Sequence, residues 1–252
     1  MSNPYTTPTH REWQTVERSR LFGMDEWLLD ETWPIIEPLL IGPVLDIGSG
    51  PGIALEARLR SRGIPRIALD RNHDYLMGLP APVQGDITDL PMAPSAIPLL
   101  HARAVLGWLS DEHRDLAAQE ILRVASHGVF VADFDWSALS DAGTVGRLKD
   151  LIIDTLEGFG FDPSFGARLP GVFEGKGWKL STARIEPTAR PGTEGVVQEA
   201  MEALMAGLRL FGQDARANEV GSTLEIFMRE SRNDPDGYQL PAICVVSGPR
   251  QA

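Results

Sequence analysis

Cys244 is the only cysteine in the 252-residue chain. A lone thiol excludes an internal disulfide framework and leaves no cysteine-based metal site. Its place in the apolar run Ile243-Cys244-Val245-Val246 suits a buried structural thiol. Long hydrophobic runs are missing too: no apolar stretch reaches the ~18 residues of a membrane span. The polar start Met1-Ser2-Asn3-Pro4-Tyr5 has no signal-peptide form. The expected location is cytoplasmic, with no membrane partner. Positive charge is scarce, with 23 Lys and Arg against 35 Asp and Glu and a net charge of −12. Such a surface repels phosphate backbones and gains nothing from counterion release. Nucleic acid is therefore not the expected partner, and a small molecule, free or borne on a carrier, is. The one basic cluster, Arg58-Leu59-Arg60-Ser61-Arg62, reads as a solvated helix face. No repeat, low-complexity tract or second-domain boundary is visible, and the length suits one α/β domain with additions.

What is present is concentrated in Val44–Gly52, which reads Val-Leu-Asp-Ile-Gly-Ser-Gly-Pro-Gly. A short apolar run ending in glycines is a buried parallel strand entering a tight turn. The segment from Ile53 to Leu59 then reads as a helix. That order lets backbone approach a ligand beneath the positive end of a helix dipole. Two nucleotide cofactors compete for such a turn. The dinucleotide fingerprint Gly-x-Gly-x-x-Gly/Ala needs a small third residue for close helix–strand packing. Here the glycines fall at 48, 50 and 52, and Ile53 stands in the third dinucleotide slot.

Gly48-Ser49-Gly50-Pro51-Gly52 with Asp46 two positions ahead resembles the first motif of the class I S-adenosylmethionine-dependent methyltransferases of small-molecule type. Later segments extend the likeness. Ile67-Ala68-Leu69-Asp70, followed by Arg71, is an apolar strand ending in an acid about twenty residues past the turn, where a carboxylate accepts from a ribose diol. Both cofactor readings want that acid. Val83–Met92 resembles the third motif, in which Asp86 would meet the adenine amino group and Ile87 would pack on the ring. Leu99–Leu109 resembles the fourth, so that Ala102 and Arg103 would flank the methionine part; Arg103 pairs either with the cofactor carboxylate or with a surface acid. Arg123–Asp133 resembles the family's Arg-Val-x-x-Pro-Gly-Gly turn and fifth strand. The chain departs from the pattern at Ile97-Pro98, where Phe-Asp often stands, and at His127, which replaces the turn proline. Proline cannot donate to a ladder, so Pro98 is expected at the strand's first residue.

The resemblance implies a doubly wound, Rossmann-like α/β fold: a seven-stranded, mostly parallel sheet with helices on both faces, plus N-terminal and late-inserted lid helices. Hydrophobic periodicity gives the helix and strand patterns, and the resemblance implies one domain made of an N-terminal helical cap (1–42), a cofactor-binding core (43–186), a helical lid insertion (187–240) and a last strand with tail (241–252). A strand is expected over Trp178–Ile185. The insertion far exceeds what a hairpin needs. It carries one apolar face through Val196, Val197, Ala200, Met201, Leu204, Met205 and Leu208, and another through Val220, Leu224, Phe227 and Met228. In the family, such insertions and N-terminal helices build the lid over the substrate, which makes Trp13, Phe22, Met201 and Met205 candidate substrate contacts. The expected cofactor is S-adenosylmethionine, held by Asp46, Gly48, Ser49, Gly50, Gly52, Asp70, Arg71, Asp86, Ile87, Ala102 and Arg103. No metal is expected.

Methyl transfer from a sulfonium is an in-line displacement, and a base is needed only where the nucleophile holds its proton tightly. The candidates are His101 at the end of the fourth strand, and Asp133 and Asp135, which share a face by the strand period. His101 reads equally as a satisfied core histidine, and Asp135 as a turn residue before Ser137. The expected activity is methyl transfer to an oxygen, nitrogen or carbon of a small natural-product intermediate. Alternatives are a methyltransferase fold using its cofactor for a cyclisation, a nicotinamide oxidoreductase, and a noncatalytic partner subunit.

Overall fold

The structure is a computed structural model, which describes residues 11–50, 52–139, 143–187, 193–233 and 240–249. Helix α1 (Arg11–Ile36) runs into a 3₁₀ turn at Glu37–Leu39. Then follow β1 (Val44–Ile47), α2 (Ile53–Arg60), β2 (Arg66–Asp70), the single-turn α3 (His73–Leu76) and β3 (Pro82–Gln84). β4 (Ile97–Arg103) leads through a 3₁₀ turn at Leu106–Trp108 to α4 (Asp111–Val124) and β5 (Ala125–Asp135). A 3₁₀ turn at Trp136–Ala138 precedes α5 (Gly143–Gly158), α6 (Phe165–Phe173) and β6 (Ser181–Ile185). The chain ends with α7 (Thr193–Leu210), α8 (Asp214–Asn233) and β7 (Ala242–Pro249).

The seven strands form one sheet in the order β3-β2-β1-β4-β5-β7-β6. β1 to β5 pair in parallel, and β7 runs antiparallel between β5 and β6. The central strands β1, β4, β5 and β7 are buried on both faces, so their residues alternate between two apolar layers, while the edge strands β3 and β6 are largely exposed. Leu45, Leu100 and Val129 point into one layer with Ala117 and Ile121 of α4 and Phe165 and Leu169 of α6. Their neighbours Val44, Leu99 and Phe130 point into the other, against Leu28, Leu29, Trp33 and Ile36 of α1 and Leu55 and Leu59 of α2. The spacing of those α1 residues is one helical face. A third cluster joins α5, α7 and α8 through Leu148, Ile152, Met201, Leu204, Leu208, Val220, Leu224 and Phe227.

Three local features differ from expectation. The strand expected over Trp178–Ile185 begins at Ser181, which pairs with Ser247 near the end of β7; Trp178 and Leu180 pack on the core instead. Pro98 is the second residue of β4, and the β4–β5 register shifts between Ile97 and Leu99, so a bulge absorbs the missing donor. The segment around His127 is not a turn either: α4 ends at Val124 and β5 starts at the next residue. Among the described residues no helix is long and apolar enough to cross a membrane.

Candidate active site

β1 and β4 lie side by side where the strand order reverses, the position at which open α/β sheets bind ligands beyond the strands' carboxyl ends. A cavity of about 270 Å³ sits there. One wall is the turn Gly48-Ser49-Gly50 with Gly52, the β2 tip Asp70-Arg71, the loop Gly85-Asp86-Ile87, and Arg103 with Ala104 and Val105. The other wall is apolar: Trp108, Phe134, Trp136, Ile152, Leu156, Phe159, Phe161 and, from α7, Ala200, Met201, Ala203 and Leu204.

The turn is glycine for three different reasons. All three residues have positive φ, 62° at Gly48, 50° at Gly50 and 42° at Gly52. A Cβ at Gly48 would collide with Val105, and one at Gly52 with the guanidinium of Arg66. At Gly50 a Cβ would meet nothing nearer than Leu21 Cδ1 at 3.9 Å, so it would project into the cavity. The missing side chain at position 50 thus leaves open space on this side of the cavity. Gly50 N donates to Asp70 Oδ2 at 2.9 Å, and Asn72 N donates to Asp70 Oδ1 at 2.8 Å. Burial pushes the Asp70 carboxyl above its ordinary value in spite of these two bonds. Further donors, such as a pair of hydroxyls, would stabilise the charged form. Asp86 is exposed and its Oδ1 accepts from Thr88 N at 2.9 Å and Thr88 Oγ1 at 2.8 Å, which turns the loop and presents Ile87. Partial burial pushes the Asp86 carboxyl up, and the Thr88 bonds more than offset this and leave it below the ordinary value. Burial draws Arg103, the last residue of β4, down to about 10. Ala104 beside it is held at φ 52°, a strained conformation for a residue with a Cβ.

Several candidates lie elsewhere. Asp46 is behind the turn, where its Oδ2 accepts from Arg66 Nε at 2.9 Å and Nη2 at 2.6 Å and its Oδ1 meets His101 Nδ1 at 2.7 Å. Burial pushes the Asp46 carboxyl up, but the Arg66 charge and the His101 bond outweigh it and hold the group below its ordinary value. His101 is buried and stacked on Phe130 at 5.2 Å. Ala102 is core and does not line the cavity. Asp133 accepts from Gly107 N at 3.0 Å and from Phe134 N at 2.9 Å, tying β5 to the Leu106–Trp108 turn that presents Trp108. Burial pushes its carboxyl up to about 7. Asp135 pairs with Arg184 of β6 at 2.9 Å and accepts from Ser137, so it closes the turn that presents Trp136. None of His101, Asp133 and Asp135 lines the cavity. Of the candidate substrate contacts, Met201 lines it, whereas Met205 packs toward Gly221 of α8. Trp13 and Phe22 belong to α1, with side chains outside the described residues.

The aromatic wall and Arg66 are absent from the sequence-derived set. The wall had a local signal, because Phe134 is the penultimate residue of β5, Trp136 follows that strand, and Trp108 lies in the turn after β4, all at the ligand edge. Among the described residues no group of His, Cys, Asp and Glu is placed to hold a metal ion.

The strand order with antiparallel β7 differs from the all-parallel dinucleotide-binding order 3-2-1-4-5-6. It is the class I methyltransferase fold, and solved structures agree. A protein described as a methyltransferase from an antibiotic biosynthesis pathway of Anabaena variabilis superposes with TM-score 0.57 at 13% identity, covering 81% of this chain and 90% of its own. The [4+2]-cyclase SpnF superposes with TM-score 0.53 at 16% identity, covering 90% and 80%. Phosphoethanolamine N-methyltransferase 2 of Haemonchus contortus, solved with phosphomonomethylethanolamine and S-adenosylhomocysteine, superposes with TM-score 0.56 at 11% identity, covering 98% of this chain and 61% of its own. No protein-family profile and no curated protein matches the sequence.

Proposed function

We propose that this chain is an S-adenosylmethionine-dependent enzyme that methylates an oxygen, nitrogen or carbon of a small, neutral, largely apolar molecule, a natural-product intermediate. One observation carries the reading. The glycine turn, Asp70, Asp86 with Ile87, and Arg103 line one wall of a cavity whose opposite wall is aromatic and aliphatic. The residues fit the cofactor: Gly50 leaves room that a Cβ would fill, and Asp70 is a half-buried carboxylate able to accept from the ribose hydroxyls. Asp86 would accept from the adenine amino group, Ile87 would pack on the ring, and Arg103 would meet the carboxylate. When bound, the sulfonium supplies an electrophilic methyl group.

The protein's own contribution is placement. The apolar wall excludes water and holds the acceptor against the cofactor end, and holding reactants at near-attack distance supplies much of the rate. Among the described residues, the ionisable groups lining the cavity (Asp70, Arg71, Tyr75, Asp86 and Arg103) all belong to the cofactor wall. The acceptor atom therefore loses its proton without a side-chain base from the apolar wall, or carries none. Asp133 and Asp135 act in this reading as positioning residues for Trp108 and Trp136. The same lack of acid–base groups favours a second reading, a cyclisation governed by shape, and the likeness to a [4+2]-cyclase supports it. Titration calorimetry with S-adenosylhomocysteine and with NAD tests the cofactor. Binding of the first and not the second is expected; the reverse would overturn both readings.

A further inference from the structure

A second cavity, of about 50 Å³, adjoins the apolar end of the first. Met24, Phe134, Trp136, Ile152, Ala200 and Met201 line both, so the two share a wall. Beyond that partition the second cavity reaches between α1, α5, α7 and α8, where Trp27, Val145, Leu148, Val197 and Phe227 line it. No described residue around it is charged or bears a hydroxyl, and the indole Nε1 of Trp27 is buried there without a hydrogen-bond partner, one donor where a water needs at least two partners. One water needs only about 10–15 Å³ of such space, yet a water also needs polar partners, and apolar cavities of this kind stay dry. An empty apolar void destabilises a fold in proportion to its volume. A void kept next to the site, and aligned with its apolar wall, is explained if part of a ligand fills it.

We infer that the two cavities form one elongated site, in which the reacting head of the substrate faces the cofactor wall and an uncharged hydrocarbon tail passes Trp136 and Met201 into the second cavity. The inference rests on the proposed reading for which end is the head. A flat or compact acceptor would leave the second cavity empty, whereas a tail of several methylenes fills it without displacing any hydrogen-bonded water. Charge on the tail is disfavoured, because the lining offers an ion no opposite charge and only the unpartnered indole N–H of Trp27 as a donor, too little to offset its desolvation. The substrate class is therefore a neutral molecule with an extended apolar arm.

The test uses the full chain saturated with S-adenosylhomocysteine and a series of neutral 4-alkylphenols, methyl through heptyl, competing for the fluorescent probe N-phenyl-1-naphthylamine. Affinity is expected to rise about fourfold per methylene, the tenfold-scaled equivalent of burying one CH₂, and then to level off. Val197→Trp or Val145→Trp, each placed in the second cavity alone, should bring the plateau two or more methylenes earlier. 4-Methylphenol and S-adenosylhomocysteine should bind these variants as they bind the parent. A carboxylate at the end of the tail should weaken binding at least tenfold. Affinity independent of chain length, or a plateau that neither tryptophan shifts, would overturn the elongated site. If chain-length dependence survives while S-adenosylhomocysteine fails to bind, the tail site stands and the cofactor reading falls.

Discussion

The guanidinium of Arg66 occupies the space that any side chain at Gly52 would need. Arg66 begins β2, reaches back beneath the glycine turn, and lies 2.6 Å from Asp46 of β1, with its side chain fully buried. His101 of β4 closes the group from the other side. Three adjacent strands thus place a charged cluster under the turn that shapes the cavity. Removing Arg66 leaves the Asp46 carboxylate buried without its cationic partner, held only by His101. Arg66→Met should therefore cost about 3–5 kcal/mol of unfolding free energy, measured by urea denaturation. The double variant Asp46→Asn/Arg66→Met should cost much less than the sum of the singles. Additive losses would mean that the pair does not act as a unit. The pH behaviour follows from the lowered Asp46 pKa. Its contribution is present above the ordinary value of 3.8 and is lost as pH falls through the lower folded value.

Gly50 separates the roles of space and backbone in the turn. With φ at 50°, alanine there is strained by about 1–2 kcal/mol, and valine, being β-branched, by more. Gly50→Ala is thus a cleaner variant than Gly50→Val. It should lower S-adenosylhomocysteine affinity at least tenfold in calorimetry while the protein stays folded at 25 °C. Unchanged affinity would move the ligand away from this turn.

Asp70 and Asp86 should differ in their effect on cofactor binding. Asp70→Ala removes a carboxylate able to accept from two hydroxyls and should weaken binding by roughly 1–3 kcal/mol, with Asp86→Ala costing less because one bond is lost. The ligand's hydroxyl donors favour ionised Asp70, whose pKa burial raises above 3.8. Affinity should therefore fall as pH is lowered through that raised value, and Asp70→Asn should bind weakly with the dependence gone. A wild-type affinity that is flat with pH would show that Asp70 does not receive those donors.

Asp133 should impose the opposite pH dependence on stability. Burial raises its folded pKa to about 7 from an ordinary 3.8, so the folded state holds a proton that the unfolded state releases. Stability from this group falls as pH rises from about 4 to about 7, and the cost of ionising it is fully present above that range. Asp133→Asn should remove that slope in urea midpoints measured between pH 4 and 8. Parallel profiles for parent and variant would show that the buried carboxyl is ionised throughout.

How far the sequence leads depends on whether a relation is local. The glycine turn, Asp70 and Asp86–Ile87 each sit at the end of one β-strand, and the strand–turn–helix pattern carries them to the same edge of the sheet. The Arg66–Asp46–His101 cluster depends on the register of three strands, Asp46 facing Ala68 on one side and His101 on the other, which no single segment encodes. Asp133 and Asp135 share a face by the strand period, yet that placement says nothing of their partners. Gly107 claims one from the turn after the neighbouring β4, and Arg184 claims the other from two strands away in the sheet. Met201 and Met205 are one helical turn apart and look alike in sequence; which of them meets the cavity is decided by how α7 lies against α8.

The position of α7 leads to the remaining prediction. Its Ala200, Met201, Ala203 and Leu204 close the apolar wall, and its opposite contacts are with α8 and α1 rather than with the sheet. The cluster joining α5, α7 and α8 shares no fully buried residue with the two layers that clamp the strands and meets the α1 layer only through the partly buried Trp27 and Trp136. A helix layer with its own small core can open without breaking the sheet, and such layers supply the lids that exclude water from active sites. Filling the cavity adds contacts to α7 that the free protein lacks. Amides of 193–230 and of the α1 segment 11–25 should therefore gain hydrogen-exchange protection on adding S-adenosylhomocysteine with a 4-alkylphenol, by more than those of β4 and β5, which the sheet already protects. Val145→Trp, with the tail cavity filled, should gain less on adding the long alkylphenols. Equal exchange of 193–230 in the free and doubly bound protein would identify α7 and α8 as fixed scaffold, and access to the cavity would then have to come from the α1 side alone.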